Sequence, residues 1–125
     1  MRHLPNIEIT LIEHSKQAYD TAGDYGKDYA GWWMNVSRMK DWRYEALVSV
    51  HELVEMILTT NDKVKWKDID YFDKKGEGKG HDDPGTLKSA PYFKQHRFAT
   101  RIEKLLCSEL GVDWKEYDES FSKLK

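Results

Sequence analysis

The sequence predicts an α+β fold, with a small N-terminal β-hairpin packed against a three- to four-helix core, all in one domain over residues 1–125. Three observations carry this. Ile7, Ile9 and Leu11 alternate with Glu8 and Thr10, the period-two pattern of a half-buried strand. From residue 42 onward the apolar residues recur at helical spacing instead. At 125 residues a single compact domain is expected, and it buries about two-thirds of its unfolded surface, enough for a core without staples.

The elements follow in order. The first strand spans residues 7–11. Asp20-Thr21-Ala22-Gly23-Asp24-Tyr25-Gly26 is rich in turn formers and reads as a loop. Trp32, Met34 and Val36 share one face of a second strand. Two strands are marginal alone, so a helix must cover them. Asp41 is placed to cap a helix over residues 42–60. A shorter helix over 66–75 carries Trp66, Ile69 and Phe72 on one side. Gly76-Glu77-Gly78-Lys79-Gly80 cannot sustain a helix and begins a loop running through Asp83-Pro84-Gly85. Pro91 stands near the first turn of a long helix whose apolar face is Phe98, Ala99, Ile102, Leu105, Leu106 and Leu110, stopped by Gly111. Asp113, three residues before Glu116, resembles a capping box for a last helix bearing Trp114, Tyr117, Phe121 and Leu124. The core is expected where residues 44–58 are crossed by residues 92–110.

Composition excludes several classes. Twenty basic and 22 acidic residues give a net charge of −2, which supplies no electrostatic case for nucleic acid or an anionic membrane. No apolar run approaches the roughly 20 residues of a membrane span, and Met1-Arg2-His3-Leu4-Pro5 lacks the apolar stretch of a signal peptide. Cys107 is the single cysteine, which fits a reducing compartment. A cytoplasmic protein is expected, acting on a small molecule or another protein.

His51-Glu52-Leu53-Val54-Glu55 interrupts the most apolar helical stretch. At about 100° per residue, Ala46, Leu47, Val50, Leu53, Val54, Ile57 and Leu58 cover a wide arc. His51 and Glu55 point into it, and Glu52 lies at its edge. Burying such groups is costly unless something pairs them. An i, i+4 pair can converge on one ion; equally, His51 can be a core histidine satisfied by Glu55. Asp70 and Asp73 share a face of the shorter helix and suit a hard cation, or form a solvated patch beside Lys74 and Lys75. His96 and Glu103 flank the apolar arc of the long helix, two turns or about 10.5 Å apart. One of them can ligate an ion while the other orients a neighbouring ligand. His81, Asp82 and Asp83 follow the glycine loop and read as a solvated turn. Cys107 falls off the main apolar stripe and is assigned no role.

Two motif resemblances follow. A helix bearing His51-Glu52-x-x-Glu55 resembles the His-Glu-x-x-His active-site helix of zinc metallopeptidases, with Glu55 standing where the second histidine belongs. That resemblance implies His51 and Glu55 as ligands and Glu52 as general base. Glu52-x-x-Glu55 followed by Asp70-x-x-Asp73 resembles the Glu-Glu-x-x-Glu and Glu-x-x-Asp motifs of MazG-like nucleoside triphosphate pyrophosphohydrolases, which hold Mg²⁺ in an all-α fold. Here His51 replaces the first acid, and the N-terminal strands are foreign to that fold. Tyr19-Asp20-Thr21-Ala22-Gly23-Asp24, Asp41-Trp42-Arg43-Tyr44-Glu45, Ala90-Pro91-Tyr92 and Gly111-Val112-Asp113-Trp114, with the His51 motif, resemble small phage and prophage proteins. That last resemblance brings no activity with it.

The expected function is therefore a metal-binding protein, with a metal-dependent hydrolase as its sharper form. His51 and Glu55 are the first ligands and Glu52 the catalytic group. His96 or Glu103 arrives from another helix, and Asp70 and Asp73 join if the ion is Mg²⁺ or Mn²⁺ rather than Zn²⁺. The rival is a non-enzymatic interaction module, in which His51, Glu52 and Glu55 form a buried network and Trp32 or Trp33 marks a partner surface.

Overall fold

A computed structural model describes residues 6–124. Three strands, β1 (Asn6–Ile12), β2 (Gly23–Asp28) and β3 (Gly31–Ser37), precede four helices, α1 (Trp42–Asn61), α2 (Trp66–Lys74), α3 (Phe93–Glu109) and α4 (Trp114–Ser120). This is the α+β arrangement expected. Its sheet differs. The strand order is β1-β3-β2, and β1 runs parallel to β3, with Asn6 opposite Gly31 and Ile12 opposite Ser37. The hairpin is β2–β3, antiparallel across Tyr29-Ala30. It uses the segment expected as a loop. Gly23 and Gly26 read as turn residues, yet both serve close packing. A Cβ on Gly23 would come 2.7 Å from Glu52 Cγ and 2.8 Å from a Val48 methyl carbon, and one on Gly26 would enter the Trp33 ring. The glycines thus admit α1 on one side and an indole on the other.

Register puts Ile7, Ile9, Leu11, Trp32, Met34, Val36 and Tyr25 on one sheet face. Helix α1 packs across it. The expected exposed tryptophan is absent from β3: Trp32 is buried and Trp33 half-buried over Gly26. Asp41 caps α1 as expected, its carboxylate accepting from the Arg43 amide at 2.9 Å. Helix α2 covers nearly the stretch foreseen. Asp113 accepts from the Glu116 amide at 2.9 Å and starts α4. No described helix is long and apolar enough to cross a membrane.

Helix α3 buries Ala99 and packs Leu106 and Leu110 against the core as expected, but its inward face is rotated from the one Phe98 and Leu105 suggest. The buried positions are Gln95, Ala99, Glu103 and Cys107, while Phe98 and Leu105 are exposed. Gln95 and Glu103 go inside because each finds a partner there: Gln95 donates to Asp62 at 2.8 Å, and Glu103 accepts from His51. Cys107 is correspondingly a core residue, its thiol donating to the Val112 carbonyl at 3.2 Å. On α1 the inward stripe is likewise polar in its middle, with His51, Glu55 and Thr59 following Leu47 and Val48. Ile57, expected in the arc, is exposed.

These stripes divide the apolar core in two. One cluster gathers Tyr25, Trp32, Met34, Met56, Ile69, Phe72, Ala90 and Tyr92. The other gathers Val36, Leu47, Val48, Cys107 and Tyr117. Leu47 is fully buried in the second. Leu47→Ala should therefore lower unfolding free energy by about 2–5 kcal/mol in urea titration, with an unchanged m value. A loss near 0.5 kcal/mol would mean that this cluster is not packed as described.

Candidate metal centre

The polar seam between the clusters is where α1 crosses α3. His51 and Glu55 project from α1, one turn apart, and His96 from the first turn of α3. Three ligand-type atoms meet there. His51 Nε2 lies 3.1 Å from Glu55 Oε2 and 3.1 Å from His96 Nδ1, and His96 Nδ1 lies 2.9 Å from Glu55 Oε2. They form a nearly equilateral triangle. Edges of about 3.0–3.4 Å are what three ligands at about 2.1 Å from a shared ion would subtend, in octahedral or tetrahedral geometry. This buried group could hold a metal ion, and among the described residues it is the only such group of three or more histidine, cysteine or acidic side chains.

Each member is oriented from behind. His51 Nδ1 meets Glu103 Oε1 at 2.7 Å, and the other Glu103 oxygen accepts from the Tyr117 hydroxyl. Asp83 Oδ1 stands 3.1 Å from His96 Nε2. Tyr25 donates to Glu55 Oε1 at 3.0 Å. His51 thus has a hydrogen-bonded carboxylate on the nitrogen that faces away from the triangle, the arrangement that fixes a ligand's tautomer and ring plane, while Asp83 lies at ion-pair distance from His96 Nε2 without hydrogen-bond geometry. Gly85 lies flat against the His96 ring, where a Cβ would overlap it.

With their outer nitrogens protonated beside carboxylates, both histidines aim a lone pair at Glu55. Three acceptors then converge, and only a cation can reconcile them, whether a metal ion or protons on the rings. The electrostatics agree. Burial alone would lower His51, but hydrogen bonds to Glu103 and Glu55 outweigh it and hold the ring well above its ordinary value. Burial opposes protonation of His96 too, yet Asp83 and Glu55 raise it to about 9. Burial would raise Glu55, while hydrogen bonds from His51 and His96 bring it down to about 2.

The triangle lies at a cleft of about 80 Å³, space for an ion with a few waters. Glu55 and His96 line it together with Glu52, Asp24, Asp70, Asp73, Asp82 and Asp83, and no lysine or arginine does. Glu52 is pushed well above its ordinary value, by burial first and then by Glu55. Asp73 is buried and accepts from Tyr92 at 2.5 Å and Tyr19 at 3.1 Å, and burial lifts it to about 6. Burial likewise lifts Asp24 to about 6 against the pull of Lys74. Asp70 is ion-paired with Lys74 at 2.6 Å. Asp70 and Asp73 therefore line the cleft without joining the triangle. Glu103 does not face the triangle directly and reaches it through His51.

Sequence patterns had not pointed to Tyr25, Tyr19, Tyr92, Tyr117 or Asp24. Buried tyrosine hydroxyls need acceptors, and in this chain the acceptors are the site's carboxylates. A second constellation also went unread. His14 lies 2.8 Å from both Ser37 Oγ and Asp20 Oδ1, the residue types of a nucleophilic triad. Ser37 is fully buried, however, and its Oγ donates to the Thr21 carbonyl at 3.3 Å. Ser37 Oγ also accepts from Gln17 Nε2 at 3.1 Å, so the hydroxyl is enclosed and closed to any substrate. The group fastens the β1–β2 connection to the end of β3.

Fold and site together define an α+β domain with a buried His–Glu–His group able to hold a metal ion. No protein-family model, curated protein or solved structure matches this chain.

Proposed function

We propose that this protein is a divalent-metal-dependent hydrolase, with His51, Glu55 and His96 as ligands and Glu52 as general base. The observation that carries the reading is the triangle of His51 Nε2, Glu55 Oε2 and His96 Nδ1, with edges of 2.9–3.1 Å, beside an open cleft. Two histidines and a carboxylate suit Zn²⁺, Mn²⁺ or Fe²⁺ better than Mg²⁺. When bound, such an ion supplies Lewis acidity, lowering the pKa of a coordinated water and polarising a substrate oxygen.

The chain's own residues do the rest. Tyr25 and the two histidine partners hold the ligands in place, so little reorganisation is needed at the moment of reaction. Glu52 lies on the cleft wall beside Glu55; burial and Glu55 favour its protonated form, and a bound cation would favour the ionised form, in which it can take a proton from water. Tyr19 and Tyr92 hold Asp73 on the far wall. The acidic lining, with Lys74 beside it already paired to Asp70, disfavours a bare anionic substrate.

The magnesium-dependent nucleotide pyrophosphohydrolase remains the second reading, favoured by one fact: Glu52, Glu55, Asp70 and Asp73 all line the same cleft. A nucleotide would have to bring Mg²⁺ with it. Under either reading a reducing, cytoplasmic setting suits the lone Cys107.

The test uses protein purified without a metal-chelating tag. One equivalent of transition metal by elemental analysis, or a rise in melting temperature with Zn²⁺ or Mn²⁺, supports the metal centre. No metal and no thermal shift with Zn²⁺, Mn²⁺ or Mg²⁺ would sink it. Glu52→Gln should retain the metal and lose about 10²–10⁴ of any hydrolytic rate. Nucleotide hydrolysis that requires Mg²⁺ and is lost in Asp70→Asn would select the second reading.

A further inference from the structure

We infer that Tyr117 of helix α4 is a positioning residue for the metal centre, acting through Glu103 to hold His51 with Nδ1 protonated and Nε2 free to ligate. This rests on the metal reading above and adds to it a residue far along the chain from the ligands.

The geometry is a three-member relay. Tyr117 is fully buried and its hydroxyl donates to Glu103 Oε2. Glu103, itself buried, offers Oε1 to His51 Nδ1 at 2.7 Å. With one donor on each oxygen, the planar carboxylate cannot rotate without losing a bond to a buried partner, a cost of about 1–3 kcal/mol. His51 in turn can donate to Glu103 only from Nδ1, which leaves its lone pair on Nε2, the atom in the triangle.

The Tyr117 ring has a separate job, and this singles out the hydroxyl. Tyr44, Trp114 and Phe121 surround the ring at centroid distances of 5.2, 5.4 and 5.0 Å. The rest of its cluster is apolar, with Val36, Leu47, Val48 and Cys107. A phenylalanine would satisfy that packing. The hydroxyl alone crosses from the apolar cluster into the polar seam, and it ends on the carboxylate behind the ligand. Burying it unpaired would be unfavourable, so hydroxyl and carboxylate require one another. Coupling is reciprocal: whatever free energy the relay lends to metal binding, the metal returns to the seating of α4.

Tyr117→Phe removes one oxygen and keeps the ring. In the full chain, with Zn²⁺ as the probe and chelator competition as the readout, affinity should fall about 10-fold, the lower end of effects for groups behind a ligand. Glu103→Gln should lose more, because it alters both contacts. The double variant should bind no more weakly than Glu103→Gln alone, since the two act in series. The ¹⁵N spectrum of the zinc-loaded parent should show His51 protonated at Nδ1 and metal-bound at Nε2. Zinc loading should also slow amide exchange in α4 of the parent more than in Tyr117→Phe. A role in packing alone would lower the melting temperature of the metal-free variant and leave zinc affinity, measured on folded protein, unchanged. That result, or strictly additive losses in the double variant, overturns the inference while leaving the metal centre standing. A parent that binds no Zn²⁺ overturns both.

Discussion

His51→Ala should abolish stoichiometric metal binding and Glu55→Gln should weaken it severely. An apparent binding free energy of about 10–16 kcal/mol shared among the three protein ligands is about 3–5 kcal/mol each, or on the order of 10²–10⁴-fold in affinity. Loss of His51 goes further. It leaves buried Glu103 with no charge partner, only the Tyr117 hydroxyl, while Glu55 keeps His96 and Tyr25; breaking a buried pair in this way costs about 3–5 kcal/mol of stability. Glu55→Gln keeps the shape of the side chain but gives up the charge that holds His51 and His96, so its metal-free melting temperature should fall too, by less than that of His51→Ala. Both variants lose metal by chelator competition. Undiminished affinity in Glu55→Gln would remove the carboxylate from the ligand set.

The second large effect is on pH dependence. In the metal-free protein His96 is raised from 6.5 to about 9, and His51 moves in the same direction. A histidine raised on folding contributes stability that is fully present below its unfolded value and lost as pH rises through the folded one. For His96 alone the interval is worth about 3 kcal/mol between pH 6.5 and 9, or on the order of 10 °C in melting temperature for a domain of this size. Three acids act elsewhere. Glu55, lowered to about 2, contributes stability above its unfolded value that is lost as pH falls toward 2. Asp24 and Asp73, raised to about 6, favour the fold at low pH and lose that contribution as pH rises through 6. The metal-free melting temperature should therefore decline from pH 6.5 to 9. Saturating Zn²⁺ should flatten or reverse the slope, because metal displaces the very protons that are being lost. A flat profile without metal would show that protons do not bridge this triangle.

The extent to which this was legible in the sequence follows from which signals are local. Helix α1 and its Asp41 cap are written in adjacent residues, and so is the inward direction of His51 and Glu55, which needs only a 3.6-residue period. The partners of those two residues are not local. His96 was recognisable as a polar group beside an apolar arc, but the arc itself was misjudged. Phe98 and Leu105 look like core residues, whereas Glu103 and Gln95 are buried because acceptors and donors await them on α1 and its C-terminal end. Amphipathic pattern alone cannot report a buried polar seam. The same limit hid the burial of Cys107 and the contact of the Tyr117 hydroxyl with Glu103, although the place of Tyr117 on the apolar stripe of α4 was legible. Strand β2 was missed because Gly23 and Gly26 are turn formers by propensity, while their use here is to let Glu52 and Trp33 come close. The parallel pairing of β1 with β3 leaves no local mark at all.

That pairing has a kinetic consequence. Each β1 residue meets a partner 25 positions later, as with Asn6 and Gly31, whereas β2 and β3 are joined by a two-residue turn. Hairpins close in about 1–10 μs, and the longer loop closes with a larger entropic penalty. β1 is therefore expected to dock last and detach first. Ile9 stays 45 % exposed even when docked, which leaves Ile7 and Leu11, packed on the rims of the two clusters, to hold the strand in place. When it swings away, the central strand of the sheet becomes an open edge carrying Trp32, Met34 and Val36, a template for pairing with another chain. Strand β1 (Asn6–Ile12) thus shields that edge, and weakening its pairing, as by Ile9→Pro, should shorten the protein's shelf life in solution well before it affects metal binding.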